Sequence, residues 1–131
     1  MLRHNSKIYQ PLPDPERGAT TRVLRIHAGR RRERMLCSLV PAPIADTEYE
    51  ALSYAWGTSL VPHKIIVDGA PFYVTSNLYS ALYELRQMER DRIIWIDAVC
   101  INQSDNIEKS TQVQMMRSIY SKASKTIVWL G

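Results

Sequence analysis

The sequence predicts an α/β fold: a mixed, partly parallel sheet flanked by helices, with a β-hairpin at its N-terminal end. Three observations carry that prediction. Residues 92–97 (Arg-Ile-Ile-Trp-Ile-Asp) and 126–130 (Thr-Ile-Val-Trp-Leu) are almost continuously apolar, as strands covered on both faces are. The stretch from 106 to 123 between them carries apolar residues at helical spacing, so strand, helix and strand read as a βαβ unit. Upstream, short β-like runs alternate with turn signals. At 131 residues and 15.1 kDa the chain holds one sizeable core and not two.

Taken in order, residues 1–21 contain Pro11, Pro13, Pro15 and Gly18 without periodicity and read as an irregular lead-in. The domain proper is expected over 22–131. Residues 22–26 and 35–40 are β-like and flank a turn at 29–34 rich in arginine, which predicts an antiparallel pair. Residues 41–47 read as a loop, and 49–56 as a third strand halted at Gly57. The run 64–67, then Asp68-Gly69, then 71–74 predicts a second hairpin, because Asp-Gly accepts the positive φ angles of a tight turn. Leu78, Ala81, Leu82 and Leu85 fall on one helical stripe, giving a helix near 76–88 with Thr75 or Ser76 as N-cap. The helix at 106–123 is expected to bury Val113, Met116, Ile119, Tyr120 and Ala123. Asp105-x-x-Glu108 at its start has capping-box spacing, with Asp in place of the usual Ser or Thr. The strand at 92–97 is placed in the middle of the sheet, with Trp95 buried, parallel to 126–130. A chain that stops at Gly131, straight after a buried-type strand, leaves that strand without a covering helix and predicts a domain incomplete on its C-terminal side.

Composition excludes several function classes. Hydrophobic residues make up 45% and charged residues 23%, ordinary for a globular chain. The longest apolar stretch, 93–101, is broken by Asp97 and falls far short of the ~20 residues that span a bilayer. The N-terminus lacks the apolar segment of a secretory signal. Cys37 and Cys100 give neither a disulfide framework nor metal-ligand spacing, so no metal is expected and a reducing, cytoplasmic setting is. Residues 1–36 carry nine Lys/Arg against three acids, which concentrates the net charge of +4 there. A basic end of this kind can meet nucleic acid. The arginine turn reads instead as a solvated tip, because no aromatic residues interleave with it in sequence to stack on bases.

In an open α/β sheet, ligands bind beyond the carboxyl ends of the central strands. That rule points to Asp97-Ala98-Val99-Cys100-Ile101-Asn102-Gln103-Ser104-Asp105, unusually polar for a link between two buried elements, and to Trp56 beside Gly57 at the end of another strand. Each candidate also has a plain structural role. Asp97 can accept backbone N–H bonds at the strand end, Asn102 and Gln103 can be turn residues, and Glu108 can be the capping-box partner of Asp105. Cys100, between Val99 and Ile101, reads as a buried small residue and not a nucleophile. His4, His27 and His63 are scattered and form no triad.

The residues Tyr49-Glu50-Ala51-Leu52-Ser53-Tyr54-Ala55-Trp56-Gly57, then Val74-Thr75-Ser76-Asn77-Leu78, Ala81-Leu82 and Leu85-Arg86, resemble the opening of the fungal heterokaryon-incompatibility (HET) domain. The likeness continues through Ile94-Trp95-Ile96-Asp97-Ala98-Val99-Cys100-Ile101-Asn102-Gln103-Ser104-Asp105, Glu108, Gln112-Val113 and Met116. It closes with Ile119-Tyr120, Ala123 and Val128-Trp129-Leu130-Gly131. These blocks cover about two-thirds of the chain in family order. The resemblance implies a cytoplasmic fungal protein tied to allorecognition and programmed cell death. It implies protein partners too, through self-association or other incompatibility proteins. HET domains also resemble TIR domains, of flavodoxin-like architecture, some of which hydrolyse NAD. On that likeness NAD would be a substrate with no cofactor bound, Glu108 the catalytic carboxylate, and Trp56, Asp97, Asn102, Gln103 and Asp105 the binding residues. A non-catalytic, self-associating scaffold is the alternative, and a basic nucleic-acid binder a more distant one. Two departures from the family stand out: Thr58 occupies a position where the family usually has an acid, and the family's domain normally continues beyond residues 128–131.

Overall fold

A computed structural model of the chain describes residues 8–12, 19–55 and 61–130. Its elements are β1 (Thr20–Ile26), β2 (Leu36–Pro43), β3 (Glu50–Tyr54), β4 (His63–Val67), β5 (Ala70–Val74), α1 (Ser76–Leu85), β6 (Arg92–Trp95), α2 (Asp97–Cys100), α3 (Asn106–Lys122) and β7 (Lys125–Trp129). The fold is α/β. Among the described residues the strands form one mixed sheet in the order β5-β4-β2-β1-β6-β3-β7. β1 and β2 pair antiparallel from Thr20↔Pro43 to Ile26↔Cys37. β6, β3 and β7 run parallel to one another, with β6 also antiparallel to β1.

The N-terminal hairpin thus lies at the centre of the sheet, and its burial shows it: Val23, Leu24 and Ile26 are all buried, as are Ile94, Trp95 and Leu52 beside them. β2 continues through Pro41 and Pro43 where a loop was expected. Its contact with β4 is confined to Leu36 and Cys37, so the far edge of β2 asks for no N–H from either proline. A single 3-10 turn, Ile44–Asp46, follows. In the β4–β5 hairpin Asp68 and Gly69 both take positive φ, 52° and 79°, as a two-residue turn of matching twist requires. Thr75 caps α1, its hydroxyl accepting from the Leu78 N–H at 3.3 Å. That helix ends at Leu85, short of the expected 88, and the extended Arg86 that follows turns its guanidinium onto carbonyls of the arginine turn.

Two expectations are corrected. β6 and β7 are parallel members of one sheet, but β3 lies between them. β3 contributes the fully buried Ala51 and Leu52 and takes the slot, and the 17 residues of α3, about 25 Å long, reach over one 4.8 Å strand spacing without difficulty. Among the described residues β7 is therefore the outer strand of the sheet: Lys125, Thr126 and Val128 are exposed, and Ile127 and Trp129 only half-buried. On α3, Ile119 is buried as expected, whereas Val113 is half exposed and Gln112 takes the inward position. Met116, Tyr120 and Ala123 are partly buried. The polar residue wins because the core offers it hydrogen-bond partners.

At the amino ends of the parallel strands, Glu50 accepts from Arg92 Nε at 2.9 Å and Nη2 at 3.1 Å, with Lys125 Nζ at 3.3 Å. The Arg92 hydrogen bond, aided by the charges of Arg92 and Lys125, holds the Glu50 carboxyl below the usual carboxylate range. A carboxylate with a lowered folded-state pKa stabilises the protein fully at neutral pH and loses that contribution as pH falls through its folded value. Glu50→Gln is expected to flatten the decline of the urea midpoint on acidification from about pH 7 to about pH 3. An unchanged slope would remove Glu50 from the acid response.

Candidate functional site

The carboxyl end of β6 runs straight into α2, a single helical turn, and then through 101–105 into α3. The Asp97 carbonyl accepts from the Ile101 N–H at 3.4 Å and from Gln103 Nε2 at 2.9 Å. Asn102 closes a turn: its Oδ1 accepts from the Ser104 N–H at 3.2 Å and its carbonyl from the Asp105 N–H at 3.1 Å. Asp105 caps α3, with Oδ1 accepting from the N–H groups of Ile107 and Glu108 at 3.1 Å each. Burial raises the hydroxyl pKa values of Tyr54 and Tyr120, and the charge of Asp97 adds to both. Asn102, Asp105 and Glu108 are thus brought together, and Gln103 sits with Asp97. Trp56 and Thr58 lie outside the described residues.

Glu108 is the centre of the cluster, and its carboxylate is occupied on both oxygens. Arg22 Nη2 donates to Oε1 at 2.6 Å and Nη1 to Oε2 at 2.8 Å, while the Asn102 N–H donates to Oε2 at 2.7 Å. The side chains are 2% and 10% exposed. The capping box is therefore only half formed: Asp105 plays its part, but the returning carboxylate goes to Arg22 and Asn102 and not to the Asp105 N–H. A charge-assisted fork of two bonds outcompetes a single backbone donor.

Arg22 is the residue that the sequence reading missed. Its guanidinium also donates to the Gln10 carbonyl at 2.6 Å and the Cys100 carbonyl at 3.3 Å, and lies 5.0 Å from the Tyr9 ring centroid. Tyr9 in turn donates to the Val99 carbonyl at 2.6 Å. These bonds join the lead-in, β1, α2 and α3. A second buried chain runs beside it: Trp95 Nε1 donates to Thr21 Oγ1 at 3.0 Å, Thr21 donates to Gln112 Oε1 at 2.6 Å, and Gln112 Nε2 donates to the Thr20 carbonyl at 3.1 Å. Glu108 apart, the sequence signal for these networks was Gln112, which falls inside the family-like string yet interrupts an apolar helix face.

A cavity of about 250 Å³ lies against Glu108, walled by Pro11, Leu12, Thr111, Gln112 and Met115. It is smaller than the roughly 300–1,000 Å³ of small-molecule sites. Cys100 is fully buried, and desolvation pushes its thiol up to about 12, so it carries no thiolate at neutral pH. Among the described residues no group of His, Cys, Asp or Glu is placed to hold a metal. No helix there is long and apolar enough to cross a membrane.

Residues 49–131 match the family model described as heterokaryon incompatibility protein (HET). The chain is 42% identical over 125 residues to heterokaryon incompatibility protein 6, OR allele, of Neurospora crassa, in an alignment taking in 84% of this chain and 18% of that protein. The chain thus spans about a fifth of the length of the curated relative it matches. No solved structure matches it.

Proposed function

This chain belongs to the heterokaryon incompatibility (HET) family, and on that premise we propose that it serves fungal self/non-self recognition, passing a death signal in the cytoplasm through contacts with other proteins. Those contacts are self-association or engagement of other incompatibility proteins. The observation that supports contact over catalysis is the state of Glu108. Hydrolysis of the nicotinamide–ribose bond of NAD would need a carboxylate facing the positive charge that develops on the ribose. Trp56 would then stack on a ring of the dinucleotide, and Asp97, Asn102, Gln103 and Asp105 would bind its polar groups. Here both Glu108 oxygens already accept from Arg22 and Asn102, so cleavage at Glu108 requires that pair to open.

The test measures NAD consumption by the purified chain, and hyphal death when the same chain is expressed, for wild type and Glu108→Gln. The expected result is hyphal death from the wild type with NAD left intact by both purified proteins. NAD consumed by folded wild type and spared by an equally folded Glu108→Gln would replace the contact reading with the hydrolase one.

A further inference from the structure

We propose that the arginine turn at 29–34 and the aromatic cleft beside it form the docking site for an acidic segment of a partner protein. This names the kind of partner for the contact reading above and rests on it for its cellular meaning.

The turn is held in one shape and is not a loose tip. Arg86 Nη1 donates to the carbonyls of Glu33 and Arg34 at 3.0 Å each, and Nη2 to the Arg30 carbonyl at 2.6 Å. The Gly29 N–H donates to the Gln87 carbonyl at 3.0 Å, and Glu33 Oε1 accepts from the Arg30 N–H at 2.8 Å. With its carbonyls gathered onto one guanidinium, the turn leaves Arg30, Arg31, Arg32 and Arg34 exposed around it. A cationic group already ordered before binding gives up little entropy when an acidic partner arrives.

The fold then sets beside this turn the aromatic residues that the local sequence lacks. Arg31, Tyr79, Ser80, Tyr83, Glu84 and Trp129 line an open surface cleft of about 560 Å³. The rings run in series: His63 stacks on Tyr79 at 4.9 Å, Tyr79 meets Tyr83 at 5.2 Å, and the Arg86 guanidinium lies 4.9 Å from the Tyr83 centroid. Trp129 is steadied from the other side, its Nε1 donating to Asn77 Oδ1 at 3.2 Å. The same Arg86 therefore organises both the turn and the end of the aromatic column.

This arrangement distinguishes a protein partner from a nucleic acid. Single-stranded nucleic acid binds by stacking bases on open ring faces. Here the tyrosines use their stacking within the column. Rigid Tyr and Trp walls beside arginine are instead the composition of protein-binding hot spots. The exposed arginines ask for acidic residues, and the cleft for a bulky apolar anchor between them.

The experiment pans a random peptide library against the full 131-residue chain and measures a synthetic copy of the most enriched sequence by fluorescence anisotropy. The expected outcome is enrichment of acidic sequences with one bulky apolar residue, whose affinity weakens with added salt. That affinity should fall about tenfold or more in Arg31→Glu/Arg32→Glu and in Trp129→Ala. Ser80→Glu, an exposed change that puts a second carboxylate in the cleft, should do the same and guards against a Trp129→Ala chain that fails to fold. Enrichment no greater than on an unrelated protein, affinity unmoved by these substitutions, or tighter binding of oligouridine than of the peptide would each overturn the proposal. Peptide binding is read on the purified chain and death in hyphae, so either can fail without the other.

Discussion

A fragment that begins at Tyr49, where the family match starts, is expected to lose cooperative folding altogether. β1 and β2 precede that point, yet they stand between β4 and β6 in the sheet. Removing them splits the remainder into β5-β4 on one side and β6-β3-β7 on the other, with no ladder joining the two among the described residues. An isolated two-stranded hairpin is marginal in water. The loss goes beyond strand pairing. Without β1 the fragment loses the Arg22–Glu108 pair and the Thr21 bonds to Trp95 and Gln112, and the apolar side chains of β6 that lie buried beside β1, Ile94 and Trp95, are opened to water. The whole chain should show one sigmoidal urea transition in far-UV circular dichroism, and the fragment a shallow, sloping one. A sigmoidal transition at the same midpoint in the fragment would mean that the hairpin is an accessory and not the centre of the fold.

Arg22→Ala is expected to cost about 3–5 kcal/mol, the range for stranding one member of a buried ion pair. Against the 5–15 kcal/mol that stabilises ordinary domains, that removes about a fifth or more. Glu108→Ala should lie in the same range, since Arg22 is only 2% exposed and cannot turn to water. The double variant should cost less than the sum, with a coupling of about 2 kcal/mol. Recovery will be partial, because the Gln10 and Cys100 carbonyls lose a donor whenever Arg22 is shortened. Urea midpoints at constant m-value measure all three. Strict additivity would show that the two side chains act independently despite their 2.6 Å contact. The same argument governs Glu108→Gln as a probe of catalysis: it keeps an acceptor for the Asn102 N–H but leaves the Arg22 charge uncompensated, so its activity has meaning only beside its stability.

Local signals made much of the fold legible. Asp68-Gly69 announced its hairpin because two positive φ angles have few other causes, and Leu78, Ala81, Leu82 and Leu85 marked α1 because a buried stripe at that spacing has one geometry. Strand order was not legible in the same way. The apolar run at 126–130 is shared by central strands and by edges that rest one face on a core, and only the long-range pairing of Glu50–Tyr54 with Lys125–Trp129 decides between them. At the site, the sequence located the segment 97–108, since polarity there contradicts the apolar elements around it. It did not show Arg22, whose partner is 86 positions away and whose strand reads as an ordinary mixture of charge and hydrophobicity. The arginine turn shows the same limit: its aromatic neighbours come from α1 and β7, near only after folding.

The central place of the β1–β2 hairpin also sets a schedule for the growing chain. The hairpin is synthesised before both of its lateral neighbours, so its two edges stand open until β4 and then β6 emerge. At about 5–20 residues per second, the interval between the end of β2 and the end of β6 is roughly three to ten seconds. An apolar hairpin with two bare edges is a template for pairing with another nascent chain. Charged residues and prolines disfavour such pairing, and the hairpin carries Arg22 and Arg25 on one strand and Pro41 and Pro43 on the other. The buried bond of Arg22 to Glu108 closes only after α3 has been made, so the hairpin is fixed in its central place by a residue synthesised later than either of its neighbouring strands.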